Sequence, residues 1–274
     1  MSEIRLVAMD LDNTLLDSNK QISNHTKEVL EAAIAKGVHI VPATGRIFKA
    51  IPEFLRNLKG VRYALCCNGA TVYDKYKDEI IYTNHLSKEI AYQLFDVMDK
   101  YHCTQDIYHN GQGYMEDRFL NHLEDYKLEE HSYKLVHATR LEVNDLRKFI
   151  EEHPDGIEKI QCFFDDMEER KACMQELESL NIASVASALT NNVEVNQFGC
   201  DKGDGLVHLA EYLNIPISQV MACGDASNDT KMIEVAGIGV VMENGNEDLK
   251  KIANFVTKTN NEDGVAYAIE KYVL

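Results

Sequence analysis

A pair of aspartates separated by one residue is the first feature of the sequence that could do chemistry. The motif DLDNTL at residues 10–15 directly follows an apolar run at residues 4–9. Because side chains at positions i and i+2 of an extended chain point the same way, Asp10 and Asp12 share a face. Two carboxylates on one face repel each other unless a cation or a proton lies between them. The motif therefore indicates a cation or proton site, and a solvated turn with an aspartate helix cap is the alternative.

A second acidic motif, ACGDASND at residues 222–229, also ends an apolar run. Asp225, Asn228 and Asp229 are spaced i, i+3 and i+4, which groups them around one helical turn. Hard oxygen ligands at this density suit Mg²⁺, which prefers one or two carboxylates together with waters and phosphate oxygens. The alternative is an acid-rich helix N-terminus that the helix dipole favours.

Two shorter motifs offer groups that bind phosphate. The motif ATGR at residues 43–46 supplies the Thr44 hydroxyl and the Gly45 N–H at the end of an apolar run, and glycine allows a close approach of the phosphate. Lys202, in the pair Lys202-Gly203, supplies one positive charge before a predicted helix. Taken singly, the first motif is equally typical of a strand-to-helix turn and the second of a surface charge.

The alternation of apolar runs and helical patterns predicts the elements that hold these motifs. Strands are predicted over residues 4–9, 38–43, 61–67, 220–223 and 238–242, and helices over 26–36, 204–213 and 228–236. This order is typical of an α/β fold with a Rossmann-like parallel sheet, whose ligands bind beyond the carboxyl ends of the strands. Asp10, Thr44 and Asp225 stand at such ends. They would therefore converge with Lys202 on one crevice, where a cation and a phosphoryl group would satisfy the whole set.

The middle of the chain has a different character. It is strongly polar and carries most of the histidines and many tyrosines. Apolar residues at helical spacing near residues 94–98 and 146–150 alternate with strand-like pieces at 113–115 and 159–164. We predict a catalytic core of residues 1–83 and 189–274, with an inserted α+β domain of residues 84–188.

Composition excludes several classes of protein. The 274 residues include 45 acidic and 28 basic side chains, so the formal net charge of −17 disfavours nucleic acid and anionic membranes as partners. No apolar run approaches the roughly 18 residues of a membrane span. Glu3 and Arg5 interrupt the apolar stretch that a signal peptide needs, and the seven cysteines contain no CxxC pair. A cytoplasmic protein with reduced thiols is therefore expected.

The motifs together resemble a known family. DxDxTL after a first strand, ATGR, a later KG and GDxxND, in this order, resemble the haloacid dehalogenase (HAD) superfamily of phosphohydrolases. With CNGA at residues 67–70 and NEDGVA at residues 261–266, the chain is similar to the Cof-type branch, whose members are mostly phosphatases of sugar phosphates and other small molecules. The resemblance covers nearly the whole chain, and the insert matches in position, size and mixed α/β character. Asn13 stands where the branch usually has glycine, and residues 243–245 depart from its usual small-residue turn.

The resemblance implies a magnesium-dependent phosphatase of small phosphorylated metabolites that works through an aspartyl-phosphate intermediate. It implies that Asp10 is the nucleophile and that Asp12 is the general acid and then the general base. The implied phosphate and substrate contacts are Leu11, Thr44, Gly45, Arg46, Lys202 and Asn228. The implied Mg²⁺ ligands are Asp10, the backbone carbonyl of Asp12, and Asp225, with Asp229 supporting the metal shell. The insert would be a cap that closes over the crevice.

Some alternatives stay open at this point. Arg46 fits a salt bridge to the acidic surface as well as a substrate contact, and Asn68-Gly69 could only turn the chain toward the insert. A phosphomutase acting on sugar phosphates would use the same core and both aspartates, but it would return the phosphoryl group to a sugar rather than to water. The expected partner in either case is a small-molecule phosphate ester.

Overall fold

The computed structural model describes residues 3–154, 156–187 and 189–274. In chain order the strands are β1 (Leu6–Met9), β2 (His39–Pro42), β3 (Tyr63–Cys66), β4 (Thr71–Asp74), β5 (Glu79–Thr83), β6 (Asp106–His109), β7 (Gln112–Glu116), β8 (Arg140–Val143), β9 (Lys159–Phe163), β10 (Ala183–Ala186), β11 (Asn192–Gln197), β12 (Val220–Gly224), β13 (Ile238–Val241) and β14 (Phe255–Val256). The helices are α1 (Asn24–Ala35), α2 (Glu53–Arg56), α3 (Lys88–Met98), α4 (Asp117–Leu120), α5 (Glu130–Thr139), α6 (Leu146–Glu152), α7 (Met167–Ser179), α8 (Lys202–Tyr212), α9 (Thr230–Val235), α10 (Glu247–Ile252) and α11 (Gly264–Tyr272).

The chain divides into two compact units, of which the first falls within Met1–Gly45, Ile51–Tyr82 and Asp201–Leu274. Its main sheet is parallel, with strand order β14-β13-β12-β1-β2. β1 lies in the middle and all of its residues are buried, which is typical of a parallel strand covered on both faces. The predicted α/β class with a parallel-sheet core is confirmed.

The third apolar run, predicted over residues 61–67, forms β3 but joins another sheet. β3 pairs with β4 in an antiparallel sheet of order β3-β4-β5. The reason is local, because the chain reverses within residues 67–69, and so short a connection cannot carry the crossover that a parallel pair needs. β3 touches the main sheet through one isolated parallel bridge between Ala43 and Leu65, and Thr44 N donates to Leu65 O at 2.9 Å.

Helix α1 illustrates how the sequence sets the bounds and packing of a helix. The Ser23 side chain accepts a hydrogen bond from the first turn at 2.9 Å and so caps the helix. Val29, Leu30 and Ala33 recur at helical spacing and are buried. Gly37 follows the helix with φ +84°, the left-handed conformation that often ends helices. The predicted helix over residues 26–36 is present with bounds shifted by one or two residues.

The second unit comprises Arg46–Ala50 and Thr83–Cys200. Its sheet has the order β10-β11-β9-β6-β7-β8, and the pairs recorded for it are antiparallel except β7 with β8. Helices and one face of this sheet share an apolar cluster that includes Leu94, Phe95, Met98, Ile107, Ile150, Ile160, Cys162, Leu177, Val193 and Val195. The residues at 109–113 form the β6–β7 hairpin.

The division of the structure differs from the predicted domain boundary. Residues 189–200 belong to the second unit because β11 pairs with both β9 and β10. The predicted boundary residue 188 itself lies outside the described residues. The short segment Arg46–Ala50 also belongs to the second unit.

Two further expectations concern the whole chain. In the described ranges, no helix has both the length and the apolar character that crossing a bilayer requires. All seven cysteines are buried thiols.

Candidate active site

The register of the main sheet brings three predicted site residues to one edge. Met9 of β1 is paired with Pro42 of β2 on one side and with Cys223 of β12 on the other. Asp10, Thr44 and Asp225 follow these positions by one or two residues, so they leave the sheet at the carboxyl ends of neighbouring parallel strands. This edge is where open parallel sheets bind their ligands.

A buried ion cluster lies at this edge. Carboxylate oxygens of Asp10, Asp225 and Asp229 all lie within 4.8 Å of one another. Lys202 Nζ donates to Asp10 Oδ1 and to Asp229 Oδ1, each at 2.6 Å, and the lysine side chain is fully buried. The structure therefore brings together four residues predicted from three separate motifs.

The electrostatics of the cluster follow from burial and from its surplus of negative charge. Burial raises the pKa of Asp10 well above its ordinary value; Lys202 opposes this shift and the neighbouring aspartates add to it. Burial and then Asp229 raise the pKa of Asp225 to about 6, against a hydrogen bond from Thr14. Burial opposes the charge on Lys202, but the two carboxylates that it contacts outweigh this and raise its pKa. Three carboxylates and one ammonium group, all with hard oxygen donors on the acidic side, fit a divalent cation such as Mg²⁺.

The Asp225–Asp229 motif is held by its own backbone. Asp229 Oδ2 accepts hydrogen bonds from the N–H groups of Asp225 and Ala226, at 2.9 and 3.0 Å. Gly224 makes this turn possible, because a Cβ at that position would lie 2.5 Å from Asp229 Cβ. Asp229 is fully buried, so one of its oxygens fixes the loop while the other accepts from Lys202.

Asn68 belongs to the site, which the sequence analysis left undecided. Asn228 Nδ2 donates to Asn68 Oδ1 at 3.3 Å, and Asn68 N donates to Thr44 O at 3.0 Å. Asn68 thus links the second and fourth motifs, which only its nearness to a strand end could have indicated. Asn228 Oδ1 is buried and has no hydrogen-bond partner among the described residues, an acceptor aimed at a group that the protein itself does not supply.

The turn that contains Asn68 packs closely against the start of α8. Asn68 has φ +59° and Gly69 has φ +93°. A Cβ on Gly69 would lie 2.1 Å from the backbone oxygen of Asp201, the residue that caps α8. The glycine therefore allows the approach that places Lys202 beside the strand ends.

Asp12 lies near the cluster but carries a different contact. Its carboxylate forms an ion pair with Lys20, with 2.9 Å between Lys20 Nζ and Asp12 Oδ1. The charge of Asp12 still contributes to the raised pKa values of Asp10 and Asp225. The sequence analysis did not single out Lys20, because a lone lysine eight residues away has no recognisable spacing.

Asn13 and Thr14 complete the first motif. Asn13 has φ +62°, a conformation that glycine adopts freely and asparagine tolerates better than other residues. This explains why asparagine can stand where glycine is usual. Asn244 Nδ2 donates to the Asn13 backbone oxygen at 2.8 Å, so the atypical turn at residues 243–245 supports the motif. The sequence analysis missed Thr14 as a site residue, although its hydroxyl donates to Asp225 Oδ1 at 2.6 Å.

The remaining predicted contacts are placed as follows. Leu11 is buried, and its backbone oxygen accepts from Leu16 N at 2.8 Å. Thr44 is buried and Gly45 is partly exposed. Arg46 belongs to the second unit, where its guanidinium donates to the Ala50 carbonyl at 3.0 Å and lies 3.5 Å from the Nε2 atom of His131.

Comparison with known proteins agrees with this geometry. The sequence profile of the haloacid dehalogenase-like hydrolases matches residues 7–269. Two relatives from Bacillus subtilis (strain 168) are each 28% identical: 5-amino-6-(5-phospho-D-ribitylamino)uracil phosphatase YcsE, with 99% of this chain and 97% of YcsE aligned, and phosphatase YwpJ, with 97% and 99% aligned. A solved haloacid dehalogenase-like hydrolase from B. subtilis is 27% identical, with a TM-score of 0.85 over 99% of this chain and 100% of that chain.

Proposed function

The chain belongs to the haloacid dehalogenase-like hydrolase family and is a phosphatase, and we propose that it hydrolyses small phosphomonoesters with Mg²⁺ through an aspartyl-phosphate on Asp10. The observation that carries the proposal is the double contact of Lys202 with Asp10 and Asp229 inside a buried cluster. A carboxylate held by a buried ammonium group at the end of a central strand has one oriented oxygen. Such fixed orientation is what an attack on phosphorus requires.

The first chemical step transfers the phosphoryl group to the enzyme. A carboxylate oxygen of Asp10 forms a bond to phosphorus while the bond from phosphorus to the leaving oxygen breaks. The electron pair of that bond goes to the leaving oxygen, which takes a proton from the carboxyl group of Asp12 and departs as an alcohol. Lys202 balances the charge of Asp10 and of the phosphoryl oxygens during the transfer.

The second step restores the enzyme. A water molecule gives a proton to the Asp12 carboxylate as its oxygen bonds to phosphorus. The bond between phosphorus and the Asp10 oxygen breaks, and its electron pair returns to the Asp10 carboxylate. Inorganic phosphate leaves, and Asp12 is again protonated for the next cycle.

The residues assigned to Mg²⁺ are Asp10, the backbone carbonyl of Asp12, Asp225 and Asp229. When bound, the ion supplies positive charge that reduces the repulsion between an anionic nucleophile and an anionic phosphate. Hard carboxylate oxygens and the negative surplus of the cluster support this choice.

Phosphate and substrate contacts are assigned to Leu11, Thr44, Gly45, Arg46, Lys202 and Asn228. Asn228 is supported by the buried Oδ1 atom that lacks a partner within the described ranges, which suits a hydroxyl donor on the substrate or a bound water. Thr44 is supported by its burial at the strand end. The second unit is assigned the role of a cap that selects the substrate, and buried thiols support a reducing, cytoplasmic location.

The substrate class is a compact phosphate ester of a metabolite. One relative is named for its activity on 5-amino-6-(5-phospho-D-ribitylamino)uracil, and this compound and ordinary sugar phosphates share a phosphorylated polyol chain. We propose this class for the present chain.

A panel assay tests the proposal. The panel contains sugar phosphates, FMN, pyridoxal phosphate and the phosphoribitylamino-uracil, each with Mg²⁺, and both inorganic phosphate and isomerised sugar are measured. Phosphate release that is absent from the Asp10→Asn variant supports the proposal. Isomerised sugar without phosphate release would identify a phosphomutase instead, and label that remains on an acid-quenched Asp10→Asn enzyme would remove Asp10 from the nucleophile role.

A further inference from the structure

We propose that Lys20 is a positioning residue that holds the Asp12 carboxyl group in one orientation for proton transfer. The inference rests on the proposed function, in which Asp12 exchanges protons with the leaving group and with water. Its basis is the ion pair between Lys20 Nζ and Asp12 Oδ1, at 2.9 Å. The two side chains are 28% and 29% exposed, so without this contact the Asp12 carboxyl group would have room to rotate.

The turn that presents Lys20 is built for this purpose around one carboxylate. Asp17 Oδ1 accepts hydrogen bonds from the N–H groups of Asn19 and Gln21, both at 2.8 Å. Lys20 N donates to Asp17 O, and Asp17 N donates to Gln21 O, both at 2.9 Å. Four hydrogen bonds therefore close a turn of five residues.

The backbone of Lys20 is itself unusual. It has φ +59°, in the left-handed region where glycine and asparagine are favoured and a long side chain is uncommon. A strained conformation persists only where the surrounding structure fixes it, and such positions are concentrated at functional sites. Here the turn keeps a long cationic side chain at a position that a glycine would occupy with less strain.

The turn is also anchored to the C-terminal part of the same unit. Ser18 N donates to Asn261 Oδ1 and Asn261 Nδ2 donates to Ser18 Oγ, each at 3.0 Å. Asn260 Nδ2 donates to Leu16 O at 2.8 Å, and a parallel bridge joins Leu16 to Asp12. Both ends of the Lys20–Asp12 pair are therefore fixed to the same frame, which is what orienting a side chain requires.

Loss of Lys20 should affect proton donation more than binding. General acid–base catalysis contributes roughly 10²–10⁴-fold, and a carboxyl group that rotates freely loses part of it. For Lys20→Met we expect the first displacement to slow about 10-fold on the alkyl phosphate that the panel shows to be hydrolysed fastest. The same step on p-nitrophenyl phosphate should slow less than about 3-fold, because p-nitrophenolate leaves with little protonation. KM for both should change less than about 2-fold.

The measurement is a single-turnover experiment with enzyme in excess, in which release of the alcohol or of p-nitrophenol follows only the first displacement. Lys20→Arg keeps a cation and should recover most of the alkyl-phosphate rate. Asp17→Ala opens the turn without touching Lys20 and should reproduce the selective loss, which also covers the case in which Lys20→Met does not fold. Lys250→Met is the matched control, because Lys250 is 20% exposed and pairs with Glu247 at 2.7 Å; both of its rates should equal those of the unmodified enzyme.

Asp12→Asn separates this inference from the proposed function. If Asp12→Asn slows the alkyl phosphate selectively while Lys20→Met and Asp17→Ala match the unmodified enzyme, the role of Lys20 is wrong and that of Asp12 stands. If Asp12→Asn shows no selectivity, the role of Asp12 itself is wrong. Equal losses on both substrates in Lys20→Met would mean a structural role and would overturn the inference. In the double variant, Lys20→Met should add little to Asp12→Asn, because both act through one carboxyl group.

Discussion

Lys202 Nζ and Asp10 Oδ1 lie 2.6 Å apart although 192 positions separate the two residues in the sequence. The lysine starts α8 and the aspartate follows β1, so only the folded parallel sheet brings them together. Burial raises the pKa of Asp10, and Lys202 opposes that shift. The pair therefore keeps a carboxylate available as a nucleophile in surroundings that would otherwise favour its protonated form.

Asp10→Asn should lose turnover while the protein keeps its fold. An amide cannot attack phosphorus, so the rate should fall more than about 10³-fold. Because burial disfavours the ionised form of Asp10, a neutral side chain of the same shape should leave the melting temperature unchanged or higher. Circular dichroism and thermal melting check the fold, and phosphate release checks the rate. Retention of a tenth of the rate would place the nucleophile elsewhere.

The amino-acid sequence predicts the frame of this site well because its signals are local. Apolar runs that end in Asp10 and Asp225 define strand ends, and parallel strands carry those ends to one edge. The helix at α8 is predicted by its periodicity and begins at the Lys202 that matters for the site. These features depend on short segments and on a general rule of sheet topology.

Other features could not be predicted because they depend on contacts distant in sequence or on single backbone angles. The hydrogen bond from Asn228 to Asn68 joins residues 160 positions apart. The left-handed conformation of Lys20 is visible only in three dimensions. The membership of β11 in the second unit is fixed by its antiparallel partners and not by its own composition, and for this reason the predicted boundary at residue 189 differs from the observed division.

Activity should depend on a divalent cation. Dialysis against EDTA should abolish phosphate release, and Mg²⁺ should restore it, because three clustered carboxylates have only one ammonium group to balance them. Binding should also stabilise the fold by about 2.7 kcal/mol when Mg²⁺ is present at about 100 times its Kd. A melting curve with and without Mg²⁺ measures this independently of turnover. Undiminished activity after chelation and dialysis would contradict the assignment.

Asp74 should stabilise the fold at neutral pH and lose this effect in acid. Its carboxylate accepts three hydrogen bonds from Arg62, at 2.9, 3.1 and 2.6 Å, and these lower its pKa in the folded chain. A lowered folded pKa means that the stabilisation is present above the unfolded pKa of about 4 and is lost as the pH falls through the folded value. Asp74→Asn should therefore lower the free energy of unfolding by about 1–3 kcal/mol at pH 7.

Urea unfolding over a pH series tests this. The difference between Asp74→Asn and the unmodified protein should shrink steadily below about pH 4. Asp248→Asn is the control, because Asp248 pairs with Lys251 on the open surface and exposed pairs contribute little. A difference that stays constant from pH 7 to acid would mean that the charge of Asp74 is not the cause.

Lys202→Met should lose both activity and stability, and the stability should return in part with Mg²⁺. Its removal leaves the buried carboxylates of Asp10 and Asp229 without the ammonium group that both contact. Breaking a buried pair in this way costs about 3–5 kcal/mol, because an uncompensated charge stays in the interior. A divalent cation bound to the same carboxylates would restore positive charge to the cluster, so Mg²⁺ should raise the melting temperature of Lys202→Met more than that of the unmodified protein. Lys231→Met removes an exposed lysine that pairs with Glu234 at 2.7 Å, and it should change stability by less than about 0.5 kcal/mol. Equal effects of Mg²⁺ on Lys202→Met and on the unmodified protein would show that the lysine and the cation do not neutralise the same carboxylates.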